Sequence, residues 1–325
     1  MEPVNNFIQT IRSSPRIFVL GVAGDSGTGK TTFTTAIRQI FGDELVSTIT
    51  LDDYHLFDRT ERDRMGITPL HPEANRLGQL EDDLARLRAG EPIKKPVYDH
   101  STGTLNPPVT FFPTKIIILE GLHTLYTSQL RELLDFTLYV DPVPGVKHHW
   151  KILRDVHRRG YTVGEVEEQI NDREEDYHRF IEPQRQFAEA VITIDWSVYG
   201  RDRSKDRDIY RVTLAQVPLE QSVGDVELPI DLFTILSLHD REFLLEYKVE
   251  SRDGEQMCAL TFDGELNARV IESLERNIEE QTRVHPITLT EGREYVTGSH
   301  IVQLLLAWRV INRRIFREEG PGGFW

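Results

Sequence analysis

The chain has 325 residues, 39% of them hydrophobic, enough to bury a sizeable core in one to three domains. A net charge of −15 argues against a general nucleic-acid binder, and no stretch approaches the ~18 uninterrupted apolar residues of a membrane span. The single cysteine, Cys258, rules out an intramolecular disulfide and a cysteine-rich zinc site. With an N-terminus of neither signal nor transit type, the expectation is a soluble cytoplasmic protein.

Strands are expected at 16–24, 45–52, 115–121, 135–141 and 190–195, several of them apolar on both faces. Helical spacing occupies 30–41, 75–90 and 146–160, the last two ending on glycine. This rhythm predicts an α/β fold: a mainly parallel sheet with helices on both faces. Beyond the charged stretch "RDRSKDRD" (201–208) the pattern alternates, through "IYRVTLAQV", "LFTILSL" and a hairpin "FLLEYKVES-RDGE-QMCALTF". Two helices then follow, and the tail "GPGGFW" is expected to be loose. The implied organisation is a lead at 1–15, a nucleotide-binding domain at 16–200 and a C-terminal α+β extension at 201–325.

"GDSGTGKT" (24–31) fits G-x-x-x-x-G-K-[ST] between a strand and a helix. Its glycines let successive backbone N–H groups turn inward, and the helix N-terminus adds partial positive charge under the phosphates. Gly24, Asp25, Ser26, Gly27, Thr28, Gly29, Lys30, Thr31 and Thr32 are the candidate nucleotide-binding residues. Lys30 is expected to reach the β- and γ-phosphates, and the Thr31 hydroxyl to coordinate Mg²⁺. The local reading is a nucleoside triphosphate plus Mg²⁺, with the acceptor undefined.

"LDDYHLFDR" (51–59) follows the second strand, at the carboxyl edge where such sheets hold ligands. Either Asp52 or Asp53 could serve as base to an acceptor hydroxyl, the other supporting Mg²⁺ or a cap. Glu120, ending "IIILE", is placed for Mg²⁺. In "KILRDVHRRG" (151–160), Lys151, Arg154, Asp155 and Arg158 share a helix face beside Arg159. This is the densest basic patch in an acidic chain. It reads as a lid near 147–180 closing cations over the transferred phosphoryl group, with Gly160 as hinge.

Taken together, "GDSGTGKT", "LDDYHLFDR", "KPVYDHSTG", "ILEGLH", "RELLDFTLYVD", "WKILRDVHRRGYT" and "YHRFIEPQRQFA" resemble the phosphoribulokinase family over residues 16–195. "VTGSHIVQLLLAWRVI" is similar to that family's last helix. The resemblance implies a P-loop kinase fold and transfer of the ATP γ-phosphate to the 1-hydroxyl of D-ribulose 5-phosphate. It implies Asp52 as base, with Lys30, Arg154 and Asp155 needed for turnover and Glu120 with Thr31 holding Mg²⁺. His55, Arg59, Tyr98, His100, Lys151, Arg159 and Arg173 are implied as substrate contacts, and a homodimer as the assembly. Thr28 and Thr50 stand where thioredoxin-regulated plant members carry cysteines, which points to a prokaryotic enzyme.

Two other readings compete. A uridine-kinase-type nucleoside kinase would share the fold, but its acceptor carries no phosphate and would not need Arg59, His100 and Arg173. A non-catalytic nucleotide-binding regulator would be expected to have lost a base, lid or Mg²⁺ group, and none is missing.

Overall fold

The run "FVLGVA" forms β1 (Phe18–Ala23), every residue of it buried, as a strand covered on both faces requires. The computed structural model describes residues 7–199, 208–218, 242–252, 254–282 and 291–319. The sequence "LFTILSL", the connection 201–207, and the tail lie outside the described residues.

In chain order come α1 (Phe7–Ser13), β1, α2 (Lys30–Phe41), β2 (Val46–Thr50), α3 (Arg59–Met65), α4 (Leu77–Arg88), β3 (Ile93–Asp99) and β4 (Thr104–Phe111). Then follow β5 (Ile116–Gly121), α5 (Ser128–Glu132), β6 (Phe136–Pro142), α6 (Pro144–Arg159), α7 (Val163–Asp176) and β7 (Ala190–Trp196). The C-terminal elements are β8 (Tyr210–Gln216), β9 (Phe243–Arg252), β10 (Glu255–Asn267), α8 (Ala268–Thr282), β11 (Tyr295–Thr297) and α9 (Gly298–Glu319).

These form two compact units. One comprises Arg16–Lys30 and Ser47–Val191; the other comprises Met1–Pro15, Thr31–Val46 and Ile192–Trp325. Most of helix α2 therefore groups with the C-terminal residues.

In the first unit the strands run in the order β6-β1-β5-β2. β1 pairs in parallel with β5, from Phe18 opposite Ile116 to Ala23 opposite Gly121, and with β6. Val19, Ile49, Leu84, Leu87, Ile117 and Leu119 belong to one buried cluster. Truncating Ile117 or Leu119 to Ala is expected to cost about 2–5 kcal/mol, so the functional side chains must be sought at the strand ends. The hairpin β3–β4 has no counterpart in the expected strands. Pro96, Pro107 and Pro108 remove backbone donors and disguise both strands, which survive only as a two-stranded ribbon with a register shift between Lys95 and Val97. Residues 51–54, expected in part as strand, form a tight 3-10 turn instead, so Asp52 and Asp53 project from a turn.

In the second unit β10 pairs antiparallel with β8, β9 and β11, and the expected hairpin is present, with Glu255 opposite Arg252. Buried Asp263 accepts from the Val198 N–H and from Arg211 Nε, both at 3.1 Å. Both bonds fall on Oδ2, so they offset only part of the cost of sequestering its charge.

Candidate active site

The turn from β1 into α2 carries Gly24, at φ 147°, where a side chain would meet the Val140 carbonyl oxygen at 2.6 Å. Lys30 folds back over this turn and donates to the Gly24 and Asp25 carbonyl oxygens at 3.0 and 2.7 Å. Burial pushes its ammonium below its usual pKa, while Asp52, Asp25 and Glu120 oppose that shift. Lys30 therefore faces the phosphate loop, the turn at 51–54 and the end of β5 at once. Thr28 bonds the Asp25 carbonyl oxygen at 2.9 Å, while Thr31 and Thr32 follow on the exposed first turn of α2.

Helix α6 meets the same loop. Lys147 Nζ lies 3.2 Å from Asp25 Oδ2 and 3.6 Å from the centre of the Tyr177 ring. Arg154 Nη1 donates to Ser26 Oγ at 3.1 Å, and its other nitrogens clasp Asp155 at 2.7 and 2.9 Å. A Cβ at Gly27 would sit 2.9 Å from that guanidinium, so glycine is what lets Arg154 lie on the loop. Lys151 is 4% exposed, and burial together with Arg173, Lys147 and Arg154 lowers its pKa to about 8 against the pull of Asp25. Burial tends to raise the Asp25 pKa, but Lys151 and Lys147 outweigh it and hold the carboxyl below its usual range. Gly160 ends α6 in the left-handed conformation, and a capping box of Thr162 and Glu165 starts α7. The Arg159 backbone closes α6; its side chain lies outside the described residues.

The two aspartates of the 51–54 turn differ. Asp53 is 7% exposed; one oxygen accepts the Tyr98 backbone N–H at 2.9 Å and the other is held by Lys95 Nζ. Asp52 is more open, with Oδ2 3.2 Å from His100 Nε2. Burial works to raise the Asp52 pKa. The His100 bond and the charges of His55, His100 and Lys30 more than reverse this, so it stays ionised far below the usual carboxylate range. His55 is buried, with Nδ1 2.8 Å from Asn75 Oδ1, and burial lowers its pKa. The Tyr98 ring stands edge-to-face between His55 and His100, at 4.9 and 5.1 Å.

Arg59 Nη2 donates to the His100 carbonyl oxygen at 2.8 Å. With Arg62, Asp172 and Arg173 it lines a cavity of about 780 Å³. Arg173 also borders a smaller cavity of about 220 Å³ shared with Asp25, Lys147, Lys151 and Tyr177. Thr68 Oγ1 to Asp176 Oδ2, 2.5 Å, joins the rim of the larger cavity to α7. Among the described residues, no three or more His, Cys, Asp or Glu side chains cluster as a metal site. Mg²⁺ does not require one, since it commonly takes one or two carboxylates with substrate phosphates completing its shell. Glu120 at the carboxyl end of β5 is a donor of that kind.

The profile of the Phosphoribulokinase / Uridine kinase family matches residues 19–195, more than half of the chain. The chain belongs to that family. A phosphoribulokinase of Synechocystis sp. is 42% identical over 201 residues, which cover 62% of this chain and 60% of that protein. A chloroplastic phosphoribulokinase of Triticum aestivum is 39% identical, over 54% of this chain and 48% of its own. The chain thus matches about half the length of these relatives. A uridine kinase of Listeria welshimeri is 36% identical over 54% of this chain and 85% of its own. The solved phosphoribulokinase from Rhodobacter spheroides superposes with a TM-score of 0.53 at 18% identity, covering 92% of this chain and 98% of that one, a likeness of fold. No helix among the described residues is long and apolar enough to cross a membrane.

Within this family member, Lys30, Asp52, Glu120, Lys151, Arg154, Asp155 and Arg173 converge from five segments, and His55, Arg59, Tyr98 and His100 stand behind Asp52. Sequence reasoning missed Arg62, Asn75 and Lys95. Arg62 was accessible to it, standing one helical turn after Arg59 on α3. Asn75 and Lys95 act through folds of the chain that carry no local signal.

Proposed function

We propose that the chain transfers the γ-phosphoryl group of ATP to the 1-hydroxyl of D-ribulose 5-phosphate, giving D-ribulose 1,5-bisphosphate and ADP. The observation that carries this reading is a cavity lined by Arg59, Arg62 and Arg173, reached from Asp52 through His100 and Arg59. The guanidinium groups of Arg59 and Arg173 suit an acceptor that already bears a phosphate. The identity to proteins named phosphoribulokinase supports the same acceptor.

The phosphate loop cradles the triphosphate, and Lys30 moves from its two carbonyl partners onto the phosphates. Glu120 and the Thr31 hydroxyl are the residues that would hold Mg²⁺, which when bound neutralises charge on the phosphate oxygens. Asp52 accepts the hydroxyl proton. Its low basicity fits a loose transition state, in which orienting the hydroxyl matters more than early proton removal. Arg154, aligned by Asp155, and Lys151 supply cations to the transferring group, with α6 and α7 as the lid excluding water. Arg59, Arg159 and Arg173 bind the acceptor's phosphate. The working form is a cytoplasmic homodimer, to be checked by light scattering, which should give twice the monomer mass.

The test is ADP release with ATP–Mg²⁺ and a panel of ribulose 5-phosphate, ribose 5-phosphate and uridine. Turnover with ribulose 5-phosphate is expected. Turnover with uridine alone contradicts the reading in favour of a nucleoside kinase. ATP binding with no turnover on any acceptor favours a regulator.

A further inference from the structure

We infer that Arg62 is a positioning residue for the acceptor half of the site, acting through Tyr98 on His55 and His100; its consequence for turnover rests on the kinase reading above. Arg62 is 6% exposed, and a charge so covered must commit its donors. It does so with Nη1 on the Phe57 carbonyl oxygen at 2.7 Å and Nη2 on the Tyr98 hydroxyl at 2.9 Å. Its guanidinium carbon lies 5.3 Å from the Tyr98 ring centre, within cation–π range.

Tyr98 is therefore fixed at both ends. Its backbone N–H is held by Asp53 and its hydroxyl by Arg62. The ring between those anchors touches both imidazoles at interplanar angles of 90° and 84°. His100 in turn touches Asp52, and His55 is pinned to Asn75. Freeing the hydroxyl end lets the ring swing, and the two imidazoles lose the surface that sets their orientation towards Asp52. A direct phosphate ligand would behave differently. Its loss would raise the acceptor KM, and removing the Tyr98 hydroxyl would not reproduce it.

The experiment compares Arg62→Met, Tyr98→Phe and the double variant in the full chain. Tyr98→Phe removes one oxygen and retains the ring, so it serves if Arg62→Met folds poorly. Each single change is expected to lower kcat by about tenfold with acceptor KM altered less than about threefold, and the double variant to be no worse than either single. Multiplying effects, or a loss confined to KM, overturn the positioning role. Imidazole proton–nitrogen NMR gives a readout that needs no turnover. The His55 and His100 signals, assigned by His→Gln variants, should shift in both single variants while other histidines stay in place. If those two signals do not move, the inference falls even in an active enzyme. If they move in a chain that phosphorylates no member of the panel, the kinase reading falls and the positioning role stands.

Discussion

Asp53 Oδ1 accepts the backbone N–H of Tyr98 at 2.9 Å, while Lys95 occupies its second oxygen. Two adjacent aspartates that are alike in sequence are thereby separated in role, one tying the β3–β4 ribbon to the 51–54 turn and the other open towards Lys30. Asp52→Asn is expected to lower kcat by about 10²-fold or more with ATP affinity unchanged. Asp53→Asn should instead lower stability by about 1–3 kcal/mol, because it weakens a buried charge pair. Steady-state kinetics and denaturant unfolding of both variants check the assignment; the reverse pattern assigns proton removal to Asp53.

Arg59 combines a cavity-facing position with its bond to the His100 carbonyl oxygen. Arg59→Ala is expected to raise the KM for the sugar phosphate by about tenfold or more, with kcat falling less. Initial rates over a range of acceptor concentrations measure the split. A loss in kcat with KM intact would place Arg59 with the positioning groups.

Lys151 gives a pH signature. Its pKa is lowered to about 8 by burial first, helped by Arg173, Lys147 and Arg154 and opposed by Asp25. Below that pH it is an ammonium ion, and above it the cation is lost. The expected profile of kcat/KM falls as pH rises through about 8, whereas kcat falls at higher pH because bound phosphate favours the charged form. Lys151→Arg keeps a cation throughout and should abolish the alkaline limb. A limb unchanged in that variant assigns it to another group.

His123 is 1% exposed, with Nε2 2.9 Å from the Leu70 carbonyl oxygen, and burial lowers its pKa to about 4. The unfolded imidazole takes a proton near pH 6.5, while the folded one resists until about 4. Stability from this group is complete above pH 6.5 and is lost as pH falls from there to about 4, by about 3 kcal/mol in all. His123→Gln should flatten that part of the stability–pH curve. Equal slopes in the two proteins would remove His123 as the cause.

The parallel core was readable because buried strands betray themselves by unbroken apolar runs, as at 115–121. The phosphate loop was readable because its chemistry is local. Alternation also disclosed the β9–β10 hairpin. The β3–β4 ribbon was not legible, since prolines erased its strand pattern. The distinction between Asp52 and Asp53 was hidden for a related reason. It depends on Lys95 and Tyr98, 42 and 45 residues away, which only that ribbon brings to the turn.

Phosphorus NMR of the reaction with ATP–Mg²⁺ and ribulose 5-phosphate tests the central proposal most directly. A product with two phosphomonoester signals, formed in step with ADP, is the predicted result. ADP formed with inorganic phosphate and unchanged ribulose 5-phosphate, or phosphorylation of uridine in its place, would contradict it.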